Sequence, residues 1–577
     1  MLFRIPITLA FFVLFTSMCS GQEDRLDTHR PNVLIIVADD LGYSDLGSFG
    51  GEIKTENMDI LAHRGIQLTN FYAAPTCSPS RAMLLSGTDN HLVGLGTQKY
   101  YWSEEQKGRP GYEGQLNNRF VTIATRFKDA GYHTYMAGKW HLGYDRESYP
   151  SARGFEESFA LLEGGASHFD QRGVISKAPK ANYRKNGQAV DLPKNFFSSE
   201  FYTDTLINNI ERNRQDGKPF FAYAAYTAPH WPLQAPAEFS DKYKHIYDVG
   251  YEAIAEARLK RMKEKGILSE YTLANPGTAY YPQWKQLTTA QKVREARLME
   301  IYAGMVESLD FHIGRLITYL EDTGELDNTV IFFMSDNGAE GSNPLDIRAG
   351  KTPNSSWIPE NFDNSLENLG KAGSYVSVGP GWARVSSTPY RLHKGFTTEG
   401  GIKVPAFIYY PKMARSTAIS SEFITVRDIA PTLMELAGLE PSLNSYQGRK
   451  VLPVTGKSLI KHLWGKERSV HGEQFTAGWE LFGRRAIRYG TWKMIWLNEP
   501  WGKEVWELYD LANDPGEMND LAAARPDIVK KLNSHWESYV RQNEMVVVDK
   551  VDILYTNGRS HYQENPNKPL ENTSINY

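Results

Sequence analysis

A cysteine, a proline and an arginine stand at alternate positions in Cys77-Ser78-Pro79-Ser80-Arg81, the start of a stretch that continues Ala-Met-Leu-Leu-Ser to Gly87. Pro79 fixes its own φ and suits the first turn of a helix, and both serines are capping residues. A helix over Ser80 to Leu85 places Cys77 at its amino end, where unpaired N–H groups favour an anion, either a thiolate or a bound ester. A lone cysteine is more often a buried structural residue. Its chemistry therefore depends on which other groups the fold brings to it.

Two strand ends supply such groups. Asn32 to Ala38 is a continuous apolar run, expected of a strand buried on both faces of a parallel or mixed sheet, and it ends in Asp39-Asp40. Adjacent carboxylates at a buried strand end repel one another and lose hydration, so they need a cation or several donors. Thr329 to Met334 is a second such strand, followed by Ser335-Asp336-Asn337-Gly338. Asp-Asn-Gly alone reads as a turn; two similar strand ends in one chain favour a site. Asp39, Asp40, Asp336 and Asn337 offer only oxygen donors of the hard kind, which suits Ca²⁺, Mg²⁺ or Mn²⁺ rather than Zn²⁺.

Two histidines and two lysines complete the set. Val121 to Ala130 has helical spacing with Gly131 as its cap, Tyr132 to Ala137 reads as a strand, and Gly138 lets the chain turn before Lys139 and His141. Residues two apart in an extended segment share a side, so this pair is expected to project together. Pro219 to Tyr226 is a further strand, leading into Thr-Ala-Pro-His-Trp-Pro, where prolines on both sides hold His230 in an extended loop. That suits an aimed proton donor, and packing against Trp231 explains it equally well. Lys394 lies in Arg-Leu-His-Lys-Gly-Phe-Thr-Thr-Glu-Gly-Gly, ahead of a strand at Val404 to Tyr410.

These strings resemble the type I, formylglycine-dependent sulfatase family. Cys77 to Gly87 is similar to its first signature and Gly131 to Gly143 to its second. Gly-Tyr-Ser-Asp-Leu-Gly, Ala-Pro-His-Trp-Pro-Leu-Gln-Ala-Pro, Met-Ser-Asp-Asn-Gly-Ala-Glu-Gly and Leu-Tyr-Asp-Leu-Ala-Asn-Asp-Pro-Gly-Glu are most similar to bacterial-type arylsulfatases. The likeness runs from Pro31 to Val548. It implies an α/β fold of the alkaline phosphatase type, a large mixed sheet flanked by helices, with a smaller C-terminal α+β domain containing a short antiparallel sheet.

The same resemblance implies that Cys77 is oxidised to 3-oxoalanine (formylglycine) by a formylglycine-generating enzyme. It implies one divalent cation, usually Ca²⁺, held by Asp39, Asp40, Asp336, Asn337 and the converted Cys77. One hydroxyl of the aldehyde hydrate then attacks the sulfur of a small anionic sulfate ester. Arg81 holds the hydrate, Lys139 binds a sulfate oxygen, His230 with Lys394 protonates the leaving alcohol, and His141 takes the proton of the second hydroxyl so that sulfate is expelled. A divalent ion, Lys139, Lys394 and Arg81 against Asp39, Asp40 and Asp336 leave about two positive charges, which suits an anionic ester. A phosphonate monoester or phosphodiester hydrolase on the same scaffold is the alternative. A secreted protein that binds a sulfated ligand without maturing Cys77 is a second rival.

The frame expected is that of an exported globular protein. Arg4, an apolar run from Ile5 to Met18 and small or polar residues at Cys19, Ser20 and Gly21 have the layout of a signal peptide over 1–21, so a secreted or periplasmic location is expected. A lipoprotein anchor at Cys19 ranks second because Met18 fits that cleavage pattern poorly. With Cys19 at the edge of the leader, Cys77 is left unpaired in a compartment that oxidises thiols. Hydrophobic content of 41%, charged content of 23% and a formal net charge of -4, with no long basic run, exclude a general nucleic-acid binder, and no membrane contact beyond the leader is expected. Asn354-Ser355-Ser356 and Asn572-Thr573-Ser574 have the form of glycan acceptors.

At 577 residues the chain needs more than one core. A catalytic domain over 31–438 is expected, then a smaller domain over 439–556 and a polar tail over 557–577. Ala290 to Leu320 carries Tyr302, Met305, Val306, Leu309, Ile313, Leu316 and Leu320 at helical spacing and should cover one face of the sheet. The region 237–292 reads as peripheral and helical in part, and 341–388 as a loop shaping the substrate mouth. Thr425 to Ala437 is expected as a helix, Ala486 to Arg488, Trp492 to Leu497 and Trp506 to Asp510 as antiparallel strands, and Asp527 to Gln542 as a helix behind them.

Overall fold

The computed structural model describes residues 30–549 except 100, 278–280, 347–353, 414–417 and 442–443. The expected leader with Cys19, the acceptor at Asn572 and the tail over 557–577 lie outside the described residues.

The first expected strand, β1 (Asn32–Ala38), is buried along all of its length and lies in the middle of a ten-stranded sheet. Its companions are β2 (Ile66–Leu68), β3 (His133–Lys139), β4 (Glu157–Leu161), β5 (Tyr183–Lys185), β6 (Gln188–Ala189), β7 (Phe220–Ala225), β8 (Thr329–Ser335), β9 (Ala406–Tyr409) and β10 (Ile419–Ser420), in the spatial order β10-β2-β9-β8-β1-β7-β3-β4-β5-β6. The centre, β8-β1-β7-β3-β4, is parallel, and β9 and β5 pair antiparallel on its two sides. Val37 lies opposite Ala225, Ala38 opposite Ser335, and Ala225 opposite Gly138. That register brings the carboxyl ends of four strands to one edge, and the residues after them are the candidate site.

Alternate residues of the central strands enter two apolar layers. Leu34, Ile36, Tyr135, Ile331 and Phe333 face α3 (Ser198–Asn213) and α4 (Thr289–Asp322). Val33, Ile35, Val37, Met136, Phe221 and Phe332 face α1 (Cys77–Ser86), α2 (Ile123–Asp129) and α5 (Ile429–Leu436). The expected long helix is α4, and its start is set by a reciprocal cap: Thr288 N–H donates to Gln291 Oε1 at 2.8 Å and Gln291 N–H to Thr288 Oγ1 at 3.3 Å.

A second sheet is an antiparallel meander of β11 (Thr476–Leu481), β12 (Arg484–Tyr489), β13 (Trp492–Trp496) and β14 (Trp506–Asp510). Ile487, Met494 and Leu508 face α6 (Pro526–Gln542), while Ala486, Ile495 and Tyr509 face Tyr72, Leu392, Phe396 and Ile402 of the larger sheet's side. Both faces are therefore covered. The fold is thus a mixed-sheet α/β sandwich carrying a small antiparallel sheet, as the resemblance implies.

Three local expectations need correction. The stretch 341–388 is not all loop: Asn354–Asn361 and Gly379–Ser386 are helical, the second with Pro380 in its first turn and Trp382 donating from Nε1 to Glu295 O at 2.8 Å. Its Gly, Ser and Pro content hides a helix that tertiary packing stabilises. The helix expected from Thr425 starts at Ile429, because Asp428 Oδ2 accepts from Thr425 N at 2.7 Å and holds a tighter turn over Val426–Asp428. Asn354 is fully buried and donates from Nδ2 to Val174 O at 3.2 Å, so it is not an accessible glycan acceptor.

Candidate active site

Cys77 is the first residue of α1 and is fully buried, with Thr76 before it in extended conformation. Ser80 turns back over this start, its Oγ accepting from Ala74 N at 2.8 Å, whereas Ser78 Oγ has no hydrogen-bond partner. Burial pushes the Cys77 thiol up to about 12, against the lowering pull of Lys139 and Lys394. Desolvation thus outweighs the two ammonium groups and favours the protonated thiol.

The carboxylates come from the ends of β1 and β8. Asp39 N–H donates to Ala228 O at 3.1 Å, and Asp40 takes a left-handed φ of 67° with its N–H 3.3 Å from Asp336 Oδ1. Lys139 Nζ reaches both oxygens of Asp39, at 2.8 and 2.7 Å. Arg81 donates from Nε to Asp336 Oδ2 at 2.7 Å and from Nη1 to Lys139 O at 3.1 Å, with Nη2 3.7 Å from Asp39 Oδ1. Asn337 donates from Nδ2 to Asp40 Oδ1 at 2.7 Å and leaves its buried Oδ1 without a hydrogen-bond partner. Lys394 Nζ lies 2.8 Å from Asp40 and 2.9 Å from Glu340.

Burial pushes Asp39 up to about 8 and Asp40 up to about 6, with Lys139 and Lys394 respectively opposing it. Asp336 is buried too, but Arg81, Lys139 and Lys394 outweigh that and hold it below the ordinary carboxylate value. Near neutral pH the Asp39 and Asp40 carboxylates thus need more positive charge than the two lysines bring. Ligand atoms of Asp39, Asp40, Cys77 and His230 lie within 4.8 Å of one another, and the unpartnered Asn337 Oδ1 adds an oxygen beside Asp40. This donor set fits a hard divalent cation, although Cys77 in its thiol form offers sulfur where an oxygen would suit.

The histidines stand over this floor. His230 follows β7; its Nδ1–H donates to Trp231 O at 2.6 Å, and its Nε2 lies 3.5 Å from Asp40 Oδ2. His141 has a left-handed φ of 54° and a buried Nδ1 without a hydrogen-bond partner. Burial first, then Lys139 for His141 and Lys394 for His230, lowers both imidazoles far below the ordinary histidine value. Both are neutral bases as they stand. Cys77, His141, His230 and Lys394 line one cleft, whose outer wall includes Tyr101 and Trp231. Lys139, after the turn at Gly138 with φ 118°, is fully buried with its ammonium on Asp39.

Sequence reasoning missed three contributors. Glu340 follows Asp336 by four positions on the same strand-end loop and is a fourth buried carboxylate, so three cationic side chains face four carboxylates. With a divalent ion the site carries about one positive charge, not two. Gly164 and Gly165 give the imidazoles room, since a Cβ on the first would stand 2.6 Å from His141 Cε1 and on the second 3.0 Å from His230 Cε1. The acid-bearing loop was legible in principle from Asp-Asn-Gly-Ala-Glu; the two glycines had no partner in view.

The sulfatase family model matches residues 31–439, and the model for the C-terminal part of N-sulphoglucosamine sulphohydrolase matches 391–542. The chain is 46% identical over 539 residues to an uncharacterized sulfatase of Schizosaccharomyces pombe, covering 90% of this chain and 95% of that one. It is 40% identical over 458 residues to an arylsulfatase of Klebsiella aerogenes, covering 79% and 96%. In fold it is similar to the crystal structure of Ps i-CgsB in complex with k-i-k-neocarrahexaose, with a TM-score of 0.63, 24% identity and coverage of 89% and 93%. The strand-end carboxylates around Cys77, the signature helix it begins and a family match over most of the described residues place this chain in the sulfatase family, enzymes that hydrolyse sulfuric esters.

Proposed function

We propose that the chain is an arylsulfatase-type hydrolase of sulfate monoesters whose nucleophile is the hydrate of a formylglycine made from Cys77. The observation that carries this reading is the thiol itself. It is fully buried, pushed up to about 12 and surrounded by carboxylates, so it is a poor thiolate nucleophile, yet it faces the cleft beside Lys394, His141 and His230. An aldehyde hydrate at this position offers two hydroxyl oxygens in place of the sulfur. Conversion depends on a formylglycine-generating enzyme as maturation partner, and export to a secreted or periplasmic location follows from the proposed leader. Among the described residues no helix is long and apolar enough to cross a membrane. A catalytic unit over 31–438 and a smaller unit over 439–556 remain the proposed division.

Asp39, Asp40, Asp336, Asn337 and the converted residue 77 would hold the cation, proposed to be Ca²⁺, which supplies Lewis-acid stabilisation of the sulfate oxygens and of the attacking hydroxyl. Arg81 keeps Asp336 and the start of α1 in one place through its Nε contact at 2.7 Å. The leaving oxygen meets His230 Nε2 and Lys394 Nζ; Nδ1–H of His230 stays on Trp231 O and fixes the ring. An arriving anionic ester favours the protonated imidazole, and Lys394 brings a second donor. His141, neutral, accepts the proton of the second hydroxyl, and the hydrate collapses to the aldehyde with release of sulfate. A serine ester would need attack by water at this point.

The test is the mass of the tryptic peptide Gly65 to Arg81 from natively produced protein, read with turnover of paired substrates. Loss of sulfur and gain of an aldehyde oxygen at Cys77, with aryl sulfate preferred over aryl phosphonate, is expected. Preference for the phosphonate makes the chain a phosphonate monoester or phosphodiester hydrolase; an intact thiol in active protein overturns the nucleophile.

A further inference from the structure

We propose that Arg484, on the small C-terminal sheet, is a positioning residue for the Lys394 side of the cleft, an inference that rests on the role proposed above for Lys394 at the leaving group. Lys394 is followed by Gly395, whose two backbone polar groups are engaged from opposite sides. Its N–H donates to Pro75 O at 2.8 Å, two residues before Cys77. Its carbonyl accepts from Arg484 Nη1 at 2.6 Å. Arg484 opens β12 and is 1% exposed, and its Nε donates to Asn498 Oδ1 at 3.2 Å. Its guanidinium lies 3.9 Å from the centroid of the Phe396 ring.

One buried side chain thus grips the residue after Lys394, and that residue grips the entry to Cys77. The neighbouring strand does the same on the other flank, where Trp479 Nε1 donates to Ala73 O at 2.9 Å. The two catalytic segments, 73–77 and 394–396, are therefore braced against a single hairpin, β11–β12. Gly395 holds a left-handed φ of 85°, so its peptide units depend on these bonds for their orientation. Removing the guanidinium leaves a buried carbonyl unpaired and the Phe396 face unpacked, which frees the peptide beside Lys394 to turn. Misplacing a catalytic group by about 1 Å costs on the order of a hundredfold in rate.

The test uses full-length Arg484→Met and Arg484→Lys with rates normalised to aldehyde content at residue 77, and two aryl sulfates whose leaving phenols differ widely in basicity. Turnover of the ester with the more basic, poorer leaving group should fall about a hundredfold in Arg484→Met and that of the better one by less than about tenfold, with Arg484→Lys recovering much of the ratio. Equal losses on both esters, or none, overturn the proposal, since a purely structural role has no reason to sense leaving-group basicity. Should Arg484→Met not fold, Arg484→Gln is read with the same two esters: a greater loss on the poorer leaving group supports the proposal, and equal losses or none overturn it. If wild-type protein bearing the aldehyde hydrolyses neither ester, the reading of the site falls instead, a result separate from the ratio.

Discussion

Lys394 and Glu340 form an ion pair of 2.9 Å at the wall of the cleft, and the same ammonium lies 2.8 Å from Asp40. Lys394 therefore ties the strand-end carboxylate of Asp40 to a second carboxylate four positions after Asp336. Glu340 is buried, which alone would raise it, but Lys394 and the Ser342 hydrogen bonds hold it below the ordinary value. It stays ionised at neutral pH and subtracts one charge from a site meant for an anion.

Glu340→Gln should lower KM for an aryl sulfate, by up to about tenfold, or ~1.4 kcal/mol of relieved repulsion. The gain should shrink as salt is raised. Steady-state kinetics at low and high ionic strength check this, and an unchanged or raised KM at low salt would show that Glu340 serves the substrate in some other way.

Cys77→Ala should abolish turnover, by more than about a thousandfold, while thermal unfolding stays close to that of the parent. A residual rate near wild type would mean that another group is the nucleophile.

Metal removal should cost stability as well as rate. Burial raises Asp39 and Asp40 despite the two lysines, and Asn337 Oδ1 has no hydrogen-bond partner, so Ca²⁺ at a hundred times its Kd should stabilise the fold by about 2.7 kcal/mol. Thermal scans with chelator and with added Ca²⁺ read the difference, and coincident curves would speak against a bound ion.

His91 ties stability to pH away from the cleft. It is buried between Asp89 at 2.8 Å and Glu480 at 3.5 Å; burial alone would lower its pKa, but hydrogen bonds and charge from those two carboxylates push it up to about 9. A folded value above the unfolded ~6.5 means the contribution is complete below pH ~6.5 and is lost as pH rises towards about 9. The loss is on the order of 3 kcal/mol. Urea unfolding between those limits should show the slope, and His91→Asn should flatten it.

Much of this protein was legible without coordinates because its chemistry is strung on short local patterns. The uninterrupted apolar runs before Asp39 and Asp336 specify doubly buried strands, and a carboxylate after such a strand must lie at the sheet edge. Cys-Ser-Pro-Ser-Arg sets a helix start by local chemistry alone, and α1 begins within the motif. What the sequence could not decide was which groups meet across the fold. Glu340 pairs with Lys394 because β8 and the segment before β9 meet at the same edge, and Lys139 sits on Asp39 because β1 and β3 end at that edge too. β11 went unread because Gly478, which breaks its pattern, makes room for the ring of Tyr539, 61 positions further along the chain. The protonation of Cys77 is decided in the same way. Local sequence determines dipoles and caps, but desolvation is set by everything packed around Cys77, and only the tertiary structure supplies that environment.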